Sequence, residues 1–201
     1  MNRNPTHSDL RRAGIGAFFR PRDVAPLGVT YYQLQGMVAD GHVEKAGPGL
    51  YRQTEVEATE TETIAMVASA VPHAIVCLLS ALRVHEIGTQ SPHQVWLAID
   101  RKARKPRRPP AAVSIVRFSG QMLTYGVVTQ SMQGVRVRIT TPARTVVDCF
   151  RYRNKVGLDV AMEALRDAVR TRRAMVSEID RAAEVCRIRT VIAPYLEALS
   201  A

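Results

Sequence analysis

The chain has 201 residues, 46% of them hydrophobic, which allows one large or two small globular domains with a buried core. Its 28 lysine and arginine residues against 18 aspartate and glutamate residues give a net charge of +10, which favours an anionic partner, most often nucleic acid. Three distant cysteines with no Cys-x-x-Cys pair argue against a disulfide framework and indicate a reducing, cytoplasmic setting.

The first predicted element is a short helix in residues 20–28, RPRDVAPLG. Pro21 lies near its first turn, where the missing N–H costs nothing, and Pro26 followed by Gly28 ends the helix. The chain before it carries two glycines and lacks the apolar core of a signal peptide.

A second helix is predicted in residues 30–40, TYYQLQGMVAD. Thr30 and Gln33 match the S/T-x-x-E/Q capping box, in which each side chain satisfies an unpaired backbone N–H. Gly41 supplies the left-handed residue that ends the helix. Helical spacing predicts an apolar face made of Tyr31, Leu34, Met37 and Val38.

A hairpin follows, because the segments 42–46 and 50–53 flank the tight turn Gly47-Pro48-Gly49. The order helix, turn, helix, hairpin is that of a winged helix, whose second helix can enter a DNA major groove. A winged helix that binds only protein would carry the same elements, so this alternative stays open. Tyr51 is expected to pack on the helix rather than stack on a base.

Candidate DNA contacts are the side chains of the second helix opposite its apolar face, together with the basic residues that border it. Polar side chains there can hydrogen-bond to base edges or phosphates, and arginine and lysine suit phosphates. The predicted DNA-binding residues are Arg20, Arg22, Thr30, Tyr32, Gln33, Lys45 and Arg52.

Composition changes near residue 54, where a basic stretch gives way to the acidic TEVEATETE. We therefore predict a winged helix-turn-helix domain in residues 1–54 and a second domain in residues 55–201. The second domain is predicted to be mixed α/β with a helical C-terminus, so the fold class is α/β of the α+β kind. Its predicted strands, rich in β-branched residues, are 94–100, 112–118, 125–132 and 134–140, and its predicted helices include 59–71, 141–152, 158–173, 177–186 and 191–199.

Residues 74–88 predict a brief strand or helix start that runs into a helix ended by Gly88. The longest apolar stretch, residues 67–82, is interrupted by Pro72 and His73 and is too short and too broken to span a bilayer. We expect a soluble protein. In the helix that follows the last strand, Thr141 is the predicted cap and Pro142 the first helical residue.

The densest charge run is RKARKPRRPP, whose prolines predict an extended loop between two strands. A solvated, flexible loop and a nonspecific phosphate contact are both open interpretations, because counterion release needs no fixed geometry. The predicted auxiliary phosphate contacts are Arg101, Lys102, Arg104, Lys105, Arg107 and Arg108.

No motif for catalysis or metal binding is complete. Residues 85–89, HEIGT, begin like a zinc-protease helix, but Thr89 stands where a histidine is required. Nucleotidyl transfer needs paired carboxylates for Mg²⁺, and Asp100 has no partner two residues away. A metal nuclease built on Asp100, Lys102 and Glu86 is the remaining enzymatic rival and lacks a second strand carboxylate. We expect no enzyme activity, no metal and no cofactor.

Residues 20–53 resemble the N-terminal winged helix of the AbiEi antitoxins of type IV toxin–antitoxin systems, most of all in GHVEKAGPGLYR. The resemblance continues through CLLSALRVHEIG, QVWLAI and TPARTVVDCFR in the same order. It implies a transcriptional autorepressor that binds operator DNA, for which we expect an inverted repeat, and a C-terminal domain that counteracts a nucleotidyltransferase-like toxin. The two glycines before Phe18 depart from the family, so the first helix is expected to be reduced.

Overall fold

The computed structural model describes residues 7–56 and 61–200, which form two compact units. The first unit contains the described residues up to Pro72 together with residues 106–111 and 130–137, and the second unit contains the rest. The predicted boundary near Glu55 therefore lies inside the first unit.

The first unit has the element order of a winged helix, which confirms the predicted helix, turn, helix and hairpin. Its strands form an antiparallel sheet in the order β1-β3-β2, with β1 paired to the wing strand β3. Strand β1 was not predicted. The elements are α1 (His7–Arg12), β1 (Phe18–Phe19), α2 (Pro21–Val24), a 3₁₀ turn (Ala25–Leu27), α3 (Tyr31–Ala39), β2 (Val43–Gly47), β3 (Leu50–Gln53) and α4 (Glu62–Ala70).

Helix α3 begins and ends as its sequence predicts. The N–H of Gln33 donates to Thr30 Oγ1 at 3.2 Å, and the N–H of Thr30 donates to Gln33 Oε1 at 2.9 Å, which completes the capping box. At the other end Gly41 has φ +75°, and the N–H of His42 donates to the carbonyl of Met37.

The inner face of α3 is narrower than its spacing predicts. Leu34 and Met37 are fully buried, whereas Val38 is half-buried and Tyr31 is exposed. The prediction for Tyr31 was wrong because the residue occupies the first helical position, where the side chain lies beyond the edge of the small core. The expectation that Tyr51 packs on the helix is confirmed, since it shares a core cluster with Leu34 and Met37 and its hydroxyl accepts from Gln35 Nε2 at 3.2 Å.

Within the first unit, helix α4 packs against the winged helix at β1. The hydroxyl of Ser69 donates to the carbonyl of Phe18 at 3.3 Å, and Arg20 Nη2 donates to the carbonyl of Ala70 at 2.8 Å. These bonds attach the segment after the acidic stretch to the winged helix, and they explain why the unit extends beyond the predicted boundary.

The remaining elements confirm the predicted strands and the helical C-terminus. The second sheet has the order β6-β5-β4-β8-β7, with β4 antiparallel to β5 and parallel to β8, and β5 parallel to β6. The fold is therefore mixed α/β of the α+β kind. The elements are β4 (Ile75–Val76), α5 (Leu78–Val84), β5 (Val95–Asp100), β6 (Val113–Phe118), a 3₁₀ turn (Gly120–Leu123), β7 (Val127–Met132), β8 (Val135–Thr140), α6 (Pro142–Arg151), α7 (Arg153–Val156), α8 (Leu158–Arg170), α9 (Val176–Val185) and α10 (Arg189–Ser200). No helix in the described ranges combines the length and apolar character that a membrane span requires.

Two predicted helix ends differ in detail from the structure. Helix α5 ends at Val84, and Glu86 with φ +54° takes the left-handed position that was expected of Gly88. The N–H of Ile87 then closes the helix on the carbonyl of Leu82. Thr141 does hold the cap position of α6, but its side chain makes no capping hydrogen bond.

Helix α6 is the centre of the second unit, and Arg144 is its most unusual residue. Its guanidinium is fully buried and donates to Asp148 at 2.9 Å, to the carbonyl of Tyr125 at 2.6 Å and to the carbonyl of Met122 at 3.3 Å. It also lies over the ring of Phe118, 4.9 Å from the centroid. The contacts join α6 to the chain between β6 and β7.

Asp148 is only partly satisfied, because Oδ2 of its fully buried carboxyl has no hydrogen-bond partner among the residues that the structure describes. Burial raises the pKa of Asp148 to about 6, although the Arg144 guanidinium acts in the opposite direction. A buried carboxyl with only one oxygen satisfied is consistent with that upward shift.

All three cysteines are buried. Burial raises the pKa of Cys77 and Cys149 well above the ordinary thiol value and raises the pKa of Cys186 to about 11. Their thiols therefore stay protonated near neutral pH.

The unfolding free energy should carry a pH-dependent contribution from Asp148. The folded chain holds this proton up to a pH of about 6, whereas the unfolded chain releases it near 3.8, so the contribution grows as the pH falls between these values. Asparagine at this position does not titrate. From about pH 7 to pH 4, we expect wild type to gain up to about 3 kcal/mol relative to Asp148→Asn, as measured by urea denaturation. A gap between the two chains that does not vary with pH would show that folding does not raise the pKa of Asp148.

A second prediction concerns two glycines of the first unit that touch backbone to backbone. A methyl group at Gly134 would lie 2.8 Å from the Cα of Gly16, whereas one at Gly14 would meet no atom of the described residues within 4 Å. Gly134 and Gly14 have similar positive φ angles, +74° and +72°, so alanine costs about 1–2 kcal/mol of backbone strain at either of these two positions. We expect Gly134→Ala to lose about 1–3 kcal/mol more than Gly14→Ala in chemical denaturation. Equal losses would mean that the contact yields freely.

Candidate nucleic-acid interface

The first turn of α3 presents two large aromatic side chains to solvent. Tyr31 is 67% exposed and Tyr32 is 85% exposed, while Leu34 and Met37 bury the opposite face of the helix. The capping box fixes where this turn starts, so both tyrosines are held at the N-terminal end of the second helix of the winged helix. Helical spacing predicts that Tyr31 lies on the buried face. The one sequence signal for its exposure is its position in the first turn of the helix.

The predicted contacts Thr30 and Gln33 also start the helix. Besides their two backbone bonds, the hydroxyl of Thr30 donates to Gln33 Oε1 at 3.0 Å. The one acceptor atom of the Gln33 side chain, Oε1, is thus occupied inside the protein. Its Nε2 group has no hydrogen-bond partner in the part of the chain that the structure describes, so it is the donor left for a ligand.

Lys45 and Arg52, predicted together as hairpin contacts, have different surroundings. Lys45 is exposed on β2 and has no ion pair within the described residues. Arg52 is only 18% exposed, and its guanidinium donates to Glu62 at 2.8 Å, to Glu44 at 3.2 Å and to the carbonyl of Val56 at 2.9 Å. These bonds connect the wing to α4 and weaken the case for Arg52 as a phosphate contact.

The two arginines before α3 also differ in how far their side chains are engaged within the protein. Arg20 is half-buried and uses Nη2 on the carbonyl of Ala70. The side chain of Arg22 is 65% exposed, and its one ion pair among the described residues is a loose one with its neighbour Asp23 at 3.7 Å. Such an exposed pair is worth little, about 0–1 kcal/mol, so a phosphate could replace it at small cost. The winged helix therefore offers Arg22, Tyr32 and Lys45 most freely.

Sequence reasoning also left out two basic residues of the first unit. Arg11 and Arg12 lie in the last turn of α1, and both are exposed. The pair of adjacent arginines was a visible signal, but the short first helix gave no reason to place it at a surface. They add positive charge to the unit that contains the tyrosines.

The basic run after β5 is a loop, as predicted. All six of its lysine and arginine side chains are exposed, and no acidic residue among those described forms an ion pair with any of them. The start of the loop is held by Arg117, whose Nη1 donates to the carbonyls of Asp100 and Ala103. The loop is therefore anchored at its first residues while its charges face solvent.

The groups considered for catalysis have structural partners. Glu86 pairs with Arg173, and Asp100 Oδ1 accepts from the backbone N–H of Lys102 at 2.6 Å. His85 Nε2 lies 2.6 Å from the carbonyl of Thr140, and burial lowers the pKa of this imidazole. Across residues 7–56 and 61–200, no three His, Cys, Asp or Glu side chains gather into a group that could hold a metal ion.

Comparison with known proteins identifies a similar fold. No protein-family model matches the chain, and no curated protein matches it. Among solved structures, the RV2827C protein from Mycobacterium tuberculosis is similar, with a TM-score of 0.56 and 11% sequence identity over 90% of this chain and 73% of that chain. At this identity the similarity shows a shared fold and carries no information about ligands.

Proposed function

We propose that the chain is a cytoplasmic DNA-binding transcriptional autorepressor and the antitoxin of a type IV toxin–antitoxin pair. The observation that carries the DNA-binding half is the exposed first turn of α3 within a winged helix. Recognition helices of this kind contact base edges with their N-terminal residues, and here those residues are the exposed Tyr31 and Tyr32.

The proposed contacts follow from which side chains are free. Tyr32 and the Nε2 group of Gln33 would reach base edges in the major groove, because they lie on the outer side of the first turn. Arg22 and Lys45 would contact phosphates on either side, where their charge needs no fixed partner. Arg20 and Arg52 would support the surface through their bonds to α4.

The antitoxin half rests on the resemblance to the AbiEi antitoxins. The similar stretches are residues 77–88, 94–99 and 141–151, which correspond to α5, β5 and α6. Most of these residues are buried, so the resemblance concerns the core of the second unit and does not identify a surface that acts on a toxin. Growth rescue tests this half: co-expression should relieve the toxicity of a nucleotidyltransferase encoded by the adjacent gene.

A protein-binding winged helix is the second candidate, and one observation favours it. Leu27, Tyr31 and Tyr32 are all exposed large side chains close together in sequence. Tyrosine is enriched in protein interfaces as well as suited to hydrogen-bond bases. The two candidates differ in the outcome with DNA, because an adaptor would show no sequence-specific binding at physiological salt.

The full chain should protect an inverted repeat upstream of its own gene in footprinting. Tyr32→Ala should lower the preference for this operator over unrelated DNA by about 1–3 kcal/mol, the range for one good base contact. Met175→Ala is the control, because Met175 is similarly exposed at 63% but lies in the second unit. Protection spread evenly over unrelated DNA by the wild-type chain would contradict the proposal.

Lys45→Ala should weaken binding to every duplex to a similar extent, because a phosphate contact carries no direct sequence information. The slope of log K against log[salt] should fall by about 0.9, the value for one lost contact. Lys155→Ala removes the same charge from an exposed position in the second unit and should leave the slope unchanged. If both variants behave alike, Lys45 acts only through net charge.

A further inference from the structure

The basic loop after β5 is divided between the two units. Residues 101–105 belong to the second unit, and residues 106–111 belong to the unit that contains the winged helix. Four of the six basic residues lie in the first part, and Arg107 and Arg108 lie in the second part. The basic residues form one continuous run in the sequence, but the two parts of the run belong to different units.

The second part of the loop, residues 106–111, lies against the wing. A methyl group at Gly47 would lie 3.4 Å from the Cβ of Pro110, so the proline packs directly against the end of β2. Gly47 forms the last pair of the hairpin with Leu50, next to a register shift that begins at Lys45. Pro109 and Pro110 are half-buried, whereas Arg107 and Arg108 just before them are exposed.

The first part is attached elsewhere. The N–H of Arg101 donates to the carbonyl of Phe118 at 2.9 Å, and Arg117 holds the carbonyls of Asp100 and Ala103. These bonds hold Arg101 and Lys102 at the end of β5. The two parts of the loop therefore carry their basic residues, four in the first and two in the second, on different supports.

We infer that residues 106–111 are a second basic finger of the DNA-binding surface, in which Arg107 and Arg108 contact the phosphate backbone beside the wing. Gly47 and Pro110 are its positioning residues. The inference rests on the proposed DNA-binding function and adds the duplex backbone next to the wing as the ligand of this loop. Two arginines on a proline-braced support lose less conformational freedom on binding than two on a free loop.

The test measures the binding of the full chain to a fluorescein-labelled duplex of arbitrary sequence by anisotropy, at salt concentrations between roughly 50 and 200 mM. Replacing Arg107 and Arg108 together by Gln should lower the slope of log K against log[salt] by about 1.8, or 0.9 for each contact. Replacing Arg101 and Lys102 together by Gln removes the same charge from the same loop and should leave the slope close to that of wild type.

A second pair of variants moves the finger without changing any charge. Gly47→Val places branched carbons against Pro110 and should displace residues 106–111, so the slope should fall as it does for the double arginine variant. Gly47→Ala adds only a methyl at an ordinary contact distance and should keep the wild-type slope. Thermal unfolding of each variant checks that the hairpin remains folded.

Three results would overturn the inference while leaving the proposed function intact. Equal losses from the two double variants would mean that the loop acts as diffuse charge, and no loss from either would mean that it is only solvated. A folded Gly47→Val chain with the wild-type slope would show that Pro110 does not position the arginines. If the wild-type chain binds no duplex even at low salt, the proposed function itself fails, and this inference fails with it.

Discussion

The second unit depends on a guanidinium that has been removed from water. Arg144 has no solvent contact, and its burial would be strongly unfavourable without Asp148, two backbone carbonyls and the ring of Phe118 around it. Because the carbonyls belong to Met122 and Tyr125, the charge can be satisfied only when the connection between β6 and β7 is in place. Helix α6 and one end of the sheet are therefore coupled by a single side chain.

The rest of α6 is consistent with this central position. Residues 144–150 are all buried, so the helix has no solvent-exposed face over these turns and must be surrounded by other elements. Helices α5, α8 and α9 pack around it. The buried hydroxyl of Thr145 is also satisfied within the protein. It hydrogen-bonds to Thr140 Oγ1 and to the carbonyl of Thr141, and these bonds join the end of β8 to the start of α6. The polar side chains of Arg144 and Thr145 are tolerated here because each has hydrogen-bond partners nearby.

Local sequence signals predicted most of the elements, because capping boxes, turn residues and β-branched runs act within a few residues of one another. Examples are the capping box of Thr30 and Gln33, the wing turn at Gly49 and the strands from β5 to β8. Features that depend on distant partners were not predicted. Arg52 pairs with Glu62, ten positions further along the chain, and nothing in the sequence distinguishes it from Lys45, which has no ion pair among the described residues.

The same limit applies to the candidate interface. Helical periodicity correctly identifies the core residues Leu34 and Met37, but it cannot say where a small core ends, and Tyr31 lies beyond that end. The basic loop shows the limit most clearly. Six similar charges stand in one run, and their division between two supports follows from the contact of Pro110 with Gly47, which connects positions far apart in the chain.

The three buried thiols have a practical consequence for spectroscopy. Alkylating and spin-labelling reagents react with thiolates that they can reach, and Cys77, Cys149 and Cys186 are neither ionised near neutral pH nor accessible. A cysteine introduced at an exposed site would therefore be modified alone in the folded native background. Pairs of such probes, one in each unit, would report the distance between the units in solution without first removing a native cysteine from the core.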